Sequence, residues 1–274
     1  MMSETPAPII RLRNVVKKFG DVVAVNDISF DVQRGEIFAF LGPNGAGKTT
    51  TIRMLTTLAH PSSGTLELDG LDPRRDQTEM RRRLGVVFQD PSLDQQLTAW
   101  ENMDIHGVLY HVPRKERHER AESLMKQFEL WERRNDLVMT FSGGMKRRLE
   151  IARGLLHTPR VLFLDEPTLG LDPQSRNAMW SHVKTLNQSE GVTVFLTTHY
   201  MDEAERVANR IAIIDHGRIV AIGSSAELKA QTKTASLEEA FLALTGTTIR
   251  EEEATSSDRM RMMGRMFGRT GVGR

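Results

Sequence analysis

The chain has 274 residues, of which 39% are hydrophobic and 27% charged, with a formal net charge of +1 and no cysteine. That length buries a sizeable core in one large domain or two small ones, and the near-neutral balance leaves no global field to recruit nucleic acid. The lack of cysteine excludes disulfides and thiolate metal sites, and no apolar run reaches the roughly 20 residues of a membrane span.

Met1 to Pro8 carries no basic region followed by an apolar stretch, so no signal peptide is expected there. A membrane role is then expected to come through a separate chain. Between Ile9 and Val32 the sequence alternates in short β-like bursts, Ile9–Leu12, Val22–Val25 and Ile28–Val32, with Gly20-Asp21 and Arg34-Gly35 as turns. The pattern predicts a small antiparallel sheet. Phe19 stands just before the first turn. Its ring can stack on a purine or pack in the core, and spacing alone leaves both open.

Glu36–Leu41 is short and mostly apolar and reads as a buried strand; Thr50 to Leu58 reads as a helix. Between them Gly42-Pro43-Asn44-Gly45-Ala46-Gly47-Lys48-Thr49-Thr50 fits the P-loop pattern in the setting that the pattern requires. The glycines let backbone N–H groups approach phosphate oxygens, and the helix adds its positive dipole end. In such a loop Lys48 reaches the β- and γ-phosphates and the Thr49 hydroxyl ligates Mg²⁺. The motif alone says only "nucleotide".

Thr65–Gly70 reads as a strand and turn, and Asp76 to Leu84 as a helix whose Arg81-Arg82-Arg83 is a solvated face. Gly85–Gln89 is a β-rich run ending on a polar Gln89, where parallel strands deliver ligand-contacting groups. From about Ser92 to Leu156 helical composition takes over, with helices expected over Thr98–Tyr110, Arg114–Leu130 and Gly144–Leu156. Within it, Ser142-Gly143-Gly144 opens a helix. That is either an anion site, built from free N–H groups, a hydroxyl and a dipole end, or a plain N-cap.

Val161–Leu164 is a buried strand that runs into Asp165 and Glu166. With a P-loop upstream, Asp165 is placed to hold Mg²⁺ beside Thr49, and Glu166 to polarise an attacking water. Gly170-Leu171-Asp172-Pro173 is a turn, with Pro173 in the first turn of a helix over Gln174–Leu186. Val192–Thr197 is another buried strand, leaving His199 at the same edge as Gln89, Asp165 and Glu166. A hairpin through His216-Gly217 and two short helices, Ser225–Ala230 and Ser236–Leu244, close the fold. Residues 247–274, acidic and then rich in arginine, methionine and glycine, read as a tail that is mobile when isolated.

The series of P-loop, Gln89, Ser142-Gly143-Gly144, Asp165-Glu166, Gly170-Leu171-Asp172 and His199 resembles the ATP-binding cassette of ABC transporters over about residues 9 to 245. The run Phe141–Arg148 and the run Ser236–Gly246 are similar to the daunorubicin-resistance type of drug exporter. The resemblance implies an α/β fold: a P-loop NTPase core with a mainly parallel sheet, an N-terminal antiparallel β subdomain, and a helical subdomain at about 92–157 inserted in a 1–246 domain. It implies ATP and Mg²⁺ as cofactors and ATP hydrolysis that powers drug, antibiotic or lipid-like export. It also implies a separate integral membrane permease, a second cassette as a homodimer, and a place at the cytoplasmic face of the membrane.

The same resemblance assigns residues. Phe19 stacks on adenine, and Gly42, Pro43, Asn44, Gly45, Ala46, Gly47, Lys48, Thr49 and Thr50 hold the phosphates. Thr49, Gln89 and Asp165 serve Mg²⁺, Glu166 acts as base, and His199 holds the γ-phosphate. Gln89 also couples to the permease. Ser142, Gly143 and Gly144 contact the ATP of the opposite subunit, and Asp172 lies in the loop that meets it. Phe19, Met145 and Leu169 stand where Tyr, Gln and Ser are commoner; Leu169 has no account. A soluble repair or translation ATPase and a non-catalytic switch are the alternatives. Against them stand the short separation of Lys48 from Ser142, the single cassette and the presence of Glu166.

Overall fold

The computed structural model describes residues 7–246; the expected tail at 247–274 lies outside the described residues. The chain opens with β1 (Ile10–Phe19) and β2 (Val22–Val32), then β3 (Ile37–Leu41), α1 (Lys48–Leu55), β4 (Ser63–Leu68), α2 (Gln77–Arg83) and β5 (Leu84–Val87). The helical stretch follows as α3 (Ala99–Leu109), α4 (Arg114–Gln127) and α5 (Gly143–Leu155). The rest alternates: β6 (Val161–Asp165), α6 (Pro173–Glu190), β7 (Thr193–Thr198), α7 (Met201–Val207), β8 (Arg210–Asp215), β9 (Arg218–Gly223), α8 (Ser225–Thr232) and α9 (Leu237–Thr245).

The strands form two sheets. One has three antiparallel strands in the order β2-β1-β4. The other has six in the order β5-β6-β7-β3-β8-β9, parallel throughout except for β9. The bursts Val22–Val25 and Ile28–Val32 are therefore one strand rather than two. Asp27 between them has φ +60° and pairs with Asn14, itself at φ +50°, through an Asn14 Nδ2 to Asp27 Oδ1 bond of 2.9 Å. Asn and Asp tolerate this left-handed backbone, so a bulge of polar residues imitates a turn in the sequence.

β3 is the middle of the fold. Ile37, Ala39 and Leu41 face one core, shared with the apolar residues of α3 to α6; Phe38 and Phe40 face the other, shared with β1, β2, β4 and α1. A strand with period two and both faces buried reads as a continuous apolar run, as it does in the sequence. Phe38 stacks on Phe30 at 5.4 Å and on Phe195 at 5.6 Å, and Phe163 meets Phe195 at 5.6 Å, so rings fasten the small sheet to the large one.

Helix ends differ from expectation for local reasons. α1 stops at Leu55 because Thr57 turns left-handed at φ +64° and the Thr56 hydroxyl bonds back to Ile52 O at 2.9 Å. α6 runs on to Glu190, where Gly191 at φ +65° supplies the left-handed cap. α7 has no counterpart in the expected elements; it is a single short helix directly after β7. The fold brings the ends of parallel strands β3, β5, β6 and β7 to one edge. There the P-loop, Gln89, Asp165-Glu166 and His199 emerge.

Candidate active site

The P-loop runs from the end of β3 into α1. Gly45 (φ +76°) and Gly47 (φ +108°) take backbone that other residues avoid. Gly42 and Gly47 are further required by space. A Cβ on Gly42 would lie 2.4 Å from Ile214 O, and one on Gly47 would lie 2.6 Å from Ala24 O. Lys48 folds back into this loop: its Nζ donates to Gly42 O at 2.6 Å and lies 3.2 Å from Glu166 Oε1.

Glu166 closes a short chain of charges. Its other oxygen, Oε2, is 2.5 Å from His199 Nδ1. Burial pushes the Glu166 carboxyl up, but the His199 bond and the Lys48 charge outweigh it and hold the group below the usual range. The Glu166 backbone is left-handed at φ +48°, a conformation that costs a non-glycine residue on the order of 1 kcal/mol or more. It is held from both sides: Thr197 Oγ1 and O accept from the Glu166 N–H at 3.0 and 3.2 Å, and Arg147 Nη2 donates to the Glu166 carbonyl at 3.3 Å.

Asp165, at the end of β6, is 2% exposed. Thr197 Oγ1 donates to its Oδ1 at 2.6 Å. Burial, first, and the neighbouring Glu166 raise its pKa, while hydrogen bonds from the Thr197 and Thr49 hydroxyls and the charge on Lys48 oppose the rise. A desolvated carboxylate beside a hydroxyl is a hard oxygen donor set of the kind Mg²⁺ takes. Gln89 lies two residues beyond β5, exposed, at the same sheet edge.

The remaining expected residues do not join this network within the chain. Ser142 caps α5, its hydroxyl accepting from Met145 N at 3.2 Å. Asp172 caps α6, with Ser175 N at 2.9 Å from Oδ1 and Ser175 Oγ at 2.6 Å from Oδ2. These two caps abut: a Cβ on Gly144 would lie 2.6 Å from Ser175 Oγ. Phe19 is 52% exposed at the tip of the β1–β2 hairpin, with Lys17 Nζ 4.8 Å above its ring. The core alternative for Phe19 is thereby removed.

Two residues without an assigned role in the sequence reading prove central. Thr197 serves both Asp165 and Glu166 from inside a strand read as simply buried; its signal was a hydroxyl at the end of a mostly apolar run. The buried Arg147 of α5 donates to Phe88 O at 2.6 Å, Pro167 O at 2.7 Å and Asp165 O at 3.2 Å, and pairs with Glu150 at 3.0 Å. It ties the segment before Gln89, the carboxylate pair and the Ser142 helix together. Its signal was a cation spaced with Ile151 and Gly154 on the buried side of the helix.

A family model described as ABC transporter matches residues 25–169, more than half of the chain and inclusive of the P-loop, Ser142–Gly144 and Glu166. The chain belongs to the ABC transporter family. The cassette is 46% identical over 228 residues to the daunorubicin/doxorubicin resistance ATP-binding protein DrrA of Streptomyces peucetius, covering 83% of this chain and 69% of that one. It is 42% identical over 220 residues to the linearmycin resistance ATP-binding protein LnrL of Bacillus subtilis (strain 168), covering 80% and 70%. Among solved structures it is similar to a dimeric ATP-binding cassette in a post-hydrolysis state with ADP and Pi. The TM-score is 0.70 at 30% identity, over 78% of this chain and 98% of that one.

The cassette is thus an ABC transporter ATPase with the α/β architecture expected of one, and it binds ATP. The soluble repair or translation ATPase and the non-catalytic switch are not favoured. Among the described residues no helix is long and apolar enough to cross a membrane.

Proposed function

We propose that this cassette powers a separate integral membrane permease at the cytoplasmic face of the membrane, by closing with a second copy over two molecules of ATP. The observation that carries the reading is the single carboxylate of Glu166, held between Lys48 at 3.2 Å and His199 at 2.5 Å beside the P-loop. In this reading Phe19 stacks on adenine, and residues Gly42 to Thr50 wrap the phosphates with N–H groups, the helix dipole and Lys48. Thr49, Asp165 and Gln89 would hold Mg²⁺, which would supply positive charge to the phosphates.

Hydrolysis needs one proton removed from water as its oxygen attacks the γ-phosphorus and the bond to the β-phosphate oxygen breaks. Glu166 accepts that proton. Its low pKa in the absence of nucleotide comes from Lys48 and His199 acting against burial. Displacement of Lys48 by phosphate would remove one of the two groups that hold Glu166 low and so raise its basicity, with the His199 bond still opposing burial. His199 keeps the carboxylate aimed and donates to the γ-phosphate. Ser142, Gly143, Gly144 and Asp172 complete the partner copy's site, so turnover waits for closure.

The names of the relatives, daunorubicin/doxorubicin resistance and linearmycin resistance, support an exported antibiotic or related natural product as cargo. The experiment that tests the core of the reading is titration of the Lys48→Ala variant with a fluorescent ATP analogue. Loss of tight binding is expected; unchanged affinity sinks the phosphate-loop assignment. Export is tested by expressing the cassette with its permease in a sensitive strain and measuring drug accumulation, which is expected to fall only with an active cassette.

A further inference from the structure

A further buried acid lies on the helix that follows His199. Glu203 of α7 has no exposed surface. Thr168 Oγ1 donates to its Oε2 at 2.7 Å, and Arg176 Nε lies 3.2 Å from its Oε1. The Arg176 guanidinium sits over the Tyr200 ring at 4.6 Å, and that ring is 4.1 Å from the ring of His199. Three segments therefore meet on one carboxylate. They are the loop that follows Glu166, the first turns of α6 that follow Asp172, and the helix that follows His199.

A buried charge is costly unless paired, and an apolar residue of similar volume is often as stable, so stability alone gives little reason for an acid here. The geometry supplies another reason. Thr168 belongs to a tight turn fastened to the Glu166 residue, since Leu169 N bonds Glu166 O at 3.2 Å and Leu171 N bonds Thr168 O at 3.1 Å. Glu203 belongs to the helix that begins immediately after His199-Tyr200. The two groups whose separation is set by this link are Glu166 and His199, which share the 2.5 Å bond. An error of about 1 Å between such groups can cost two orders of magnitude in rate.

We propose that Glu203, with Thr168 and Arg176, is a positioning cluster for ATP hydrolysis that fixes His199 to the loop leaving Glu166. The inference rests on the reading of Glu166 and His199 as the hydrolytic pair. In that reading the cluster acts only through those two residues.

The test compares Thr168→Val, Thr168→Ser and Glu203→Gln, alone and with His199→Ala, in the full chain. The readouts are kcat and KM for MgATP, the dissociation constant of a fluorescent ATP analogue, and Tm. Thr168→Val is expected to lower kcat about tenfold with the binding constant within about twofold of wild type. Thr168→Ser, which keeps the hydroxyl, is expected to restore the rate. On top of His199→Ala, Thr168→Val is expected to cost no further rate, because the residue it positions is gone. Thr168→Val removes no charge, so it carries the test if Glu203→Gln fails to fold. Wild-type kcat in Thr168→Val, a loss matched by weaker binding, or a loss that multiplies with that of His199→Ala overturns the cluster. A fully active His199→Ala instead overturns the hydrolytic pair itself.

Discussion

The two polar clusters of the cassette are built on opposite plans. Around the P-loop, the charged side chains are tied to residues far away in sequence: Lys48 to Glu166, Glu166 to His199, Asp165 to Thr197. One of them, Glu166, sits in strained backbone. At Ser142–Gly144 and Asp172, every side-chain bond stays within the first turn of its own helix. Those residues are sufficient as caps, yet the sequence there exceeds what a cap needs. Ser142 alone caps α5. Gly144 has a reason in Ser175, which leaves no room for a Cβ; Gly143 has none, since the nearest atom would be an ordinary contact at 3.8 Å. Glycine at a helical position costs roughly 1 kcal/mol against alanine. A costly residue without an in-chain partner, whose N–H is free at a helix N-terminus, fits the proposal that this half serves a second copy.

The largest expected effect falls on the first cluster. Glu166→Gln keeps the shape and removes the proposed base, so turnover is expected to drop by about a hundredfold or more with ATP binding retained. Phosphate release and nucleotide titration on the same preparation check it. Wild-type turnover would take the base role from Glu166 and leave the first cluster as mere scaffolding, which erases the contrast.

Arg147 stands between the two clusters, and its loss is expected to be the largest in stability. Arg147→Met leaves Glu150 buried without its cation and strips donors from the carbonyls of Phe88, Asp165, Glu166 and Pro167. Removal of one partner of a buried pair costs about 3–5 kcal/mol. Urea unfolding of the variant checks it. A cost below about 1 kcal/mol would mean that the clusters are held in register by something other than this guanidinium.

The helical side carries its own pH dependence. Burial, first, lowers the pKa of His106 to about 3 and of His157 to about 4. In the unfolded chain both titrate near the ordinary value of about 6.5. The unfolded state therefore binds protons that the folded state refuses, so this contribution is complete above about pH 6.5 and is lost as pH falls towards 4. The expected slope is about 1.4 kcal/mol per pH unit for each histidine. His106→Phe, which keeps a ring beside Tyr110 and His157, is expected to flatten the slope in denaturant unfolding between pH 6.5 and 4. An unchanged slope would mean that His106 is not held neutral by the fold through this window.

The sheet edge was legible because each residue on it ends an apolar run. Asp165-Glu166 after Val161–Leu164 and His199 after Val192–Thr197 need only the rule that parallel strands present ligands at their C-terminal ends. Phe19 was not decided by sequence, since an aromatic before a turn fits either the core or the surface. β2 shows in the sequence as two bursts because the polar Asn26-Asp27 interrupts its apolar alternation at the bulge. Thr197, Arg147 and Glu203 were passed over for a common reason. Each serves a partner brought near only by the sheet order or by helix packing, and no local period encodes that pairing.

The smallest effect is the sharpest on the comparison. Gly143→Ala has room for its methyl group and no positive φ to strain, so the isolated chain is expected to gain up to about 1 kcal/mol in stability. If the N–H groups of Gly143 and Gly144 receive phosphate from the partner's ATP, the same methyl group stands against that phosphate, and turnover is expected to fall while monomeric ATP affinity does not. Stability and activity then move in opposite directions on one substitution, which a residue serving only as the first turn of α5 cannot produce. Thermal unfolding beside steady-state ATPase measurement decides it. A variant that is both more stable and fully active returns Ser142–Gly144 to the status of a helix cap.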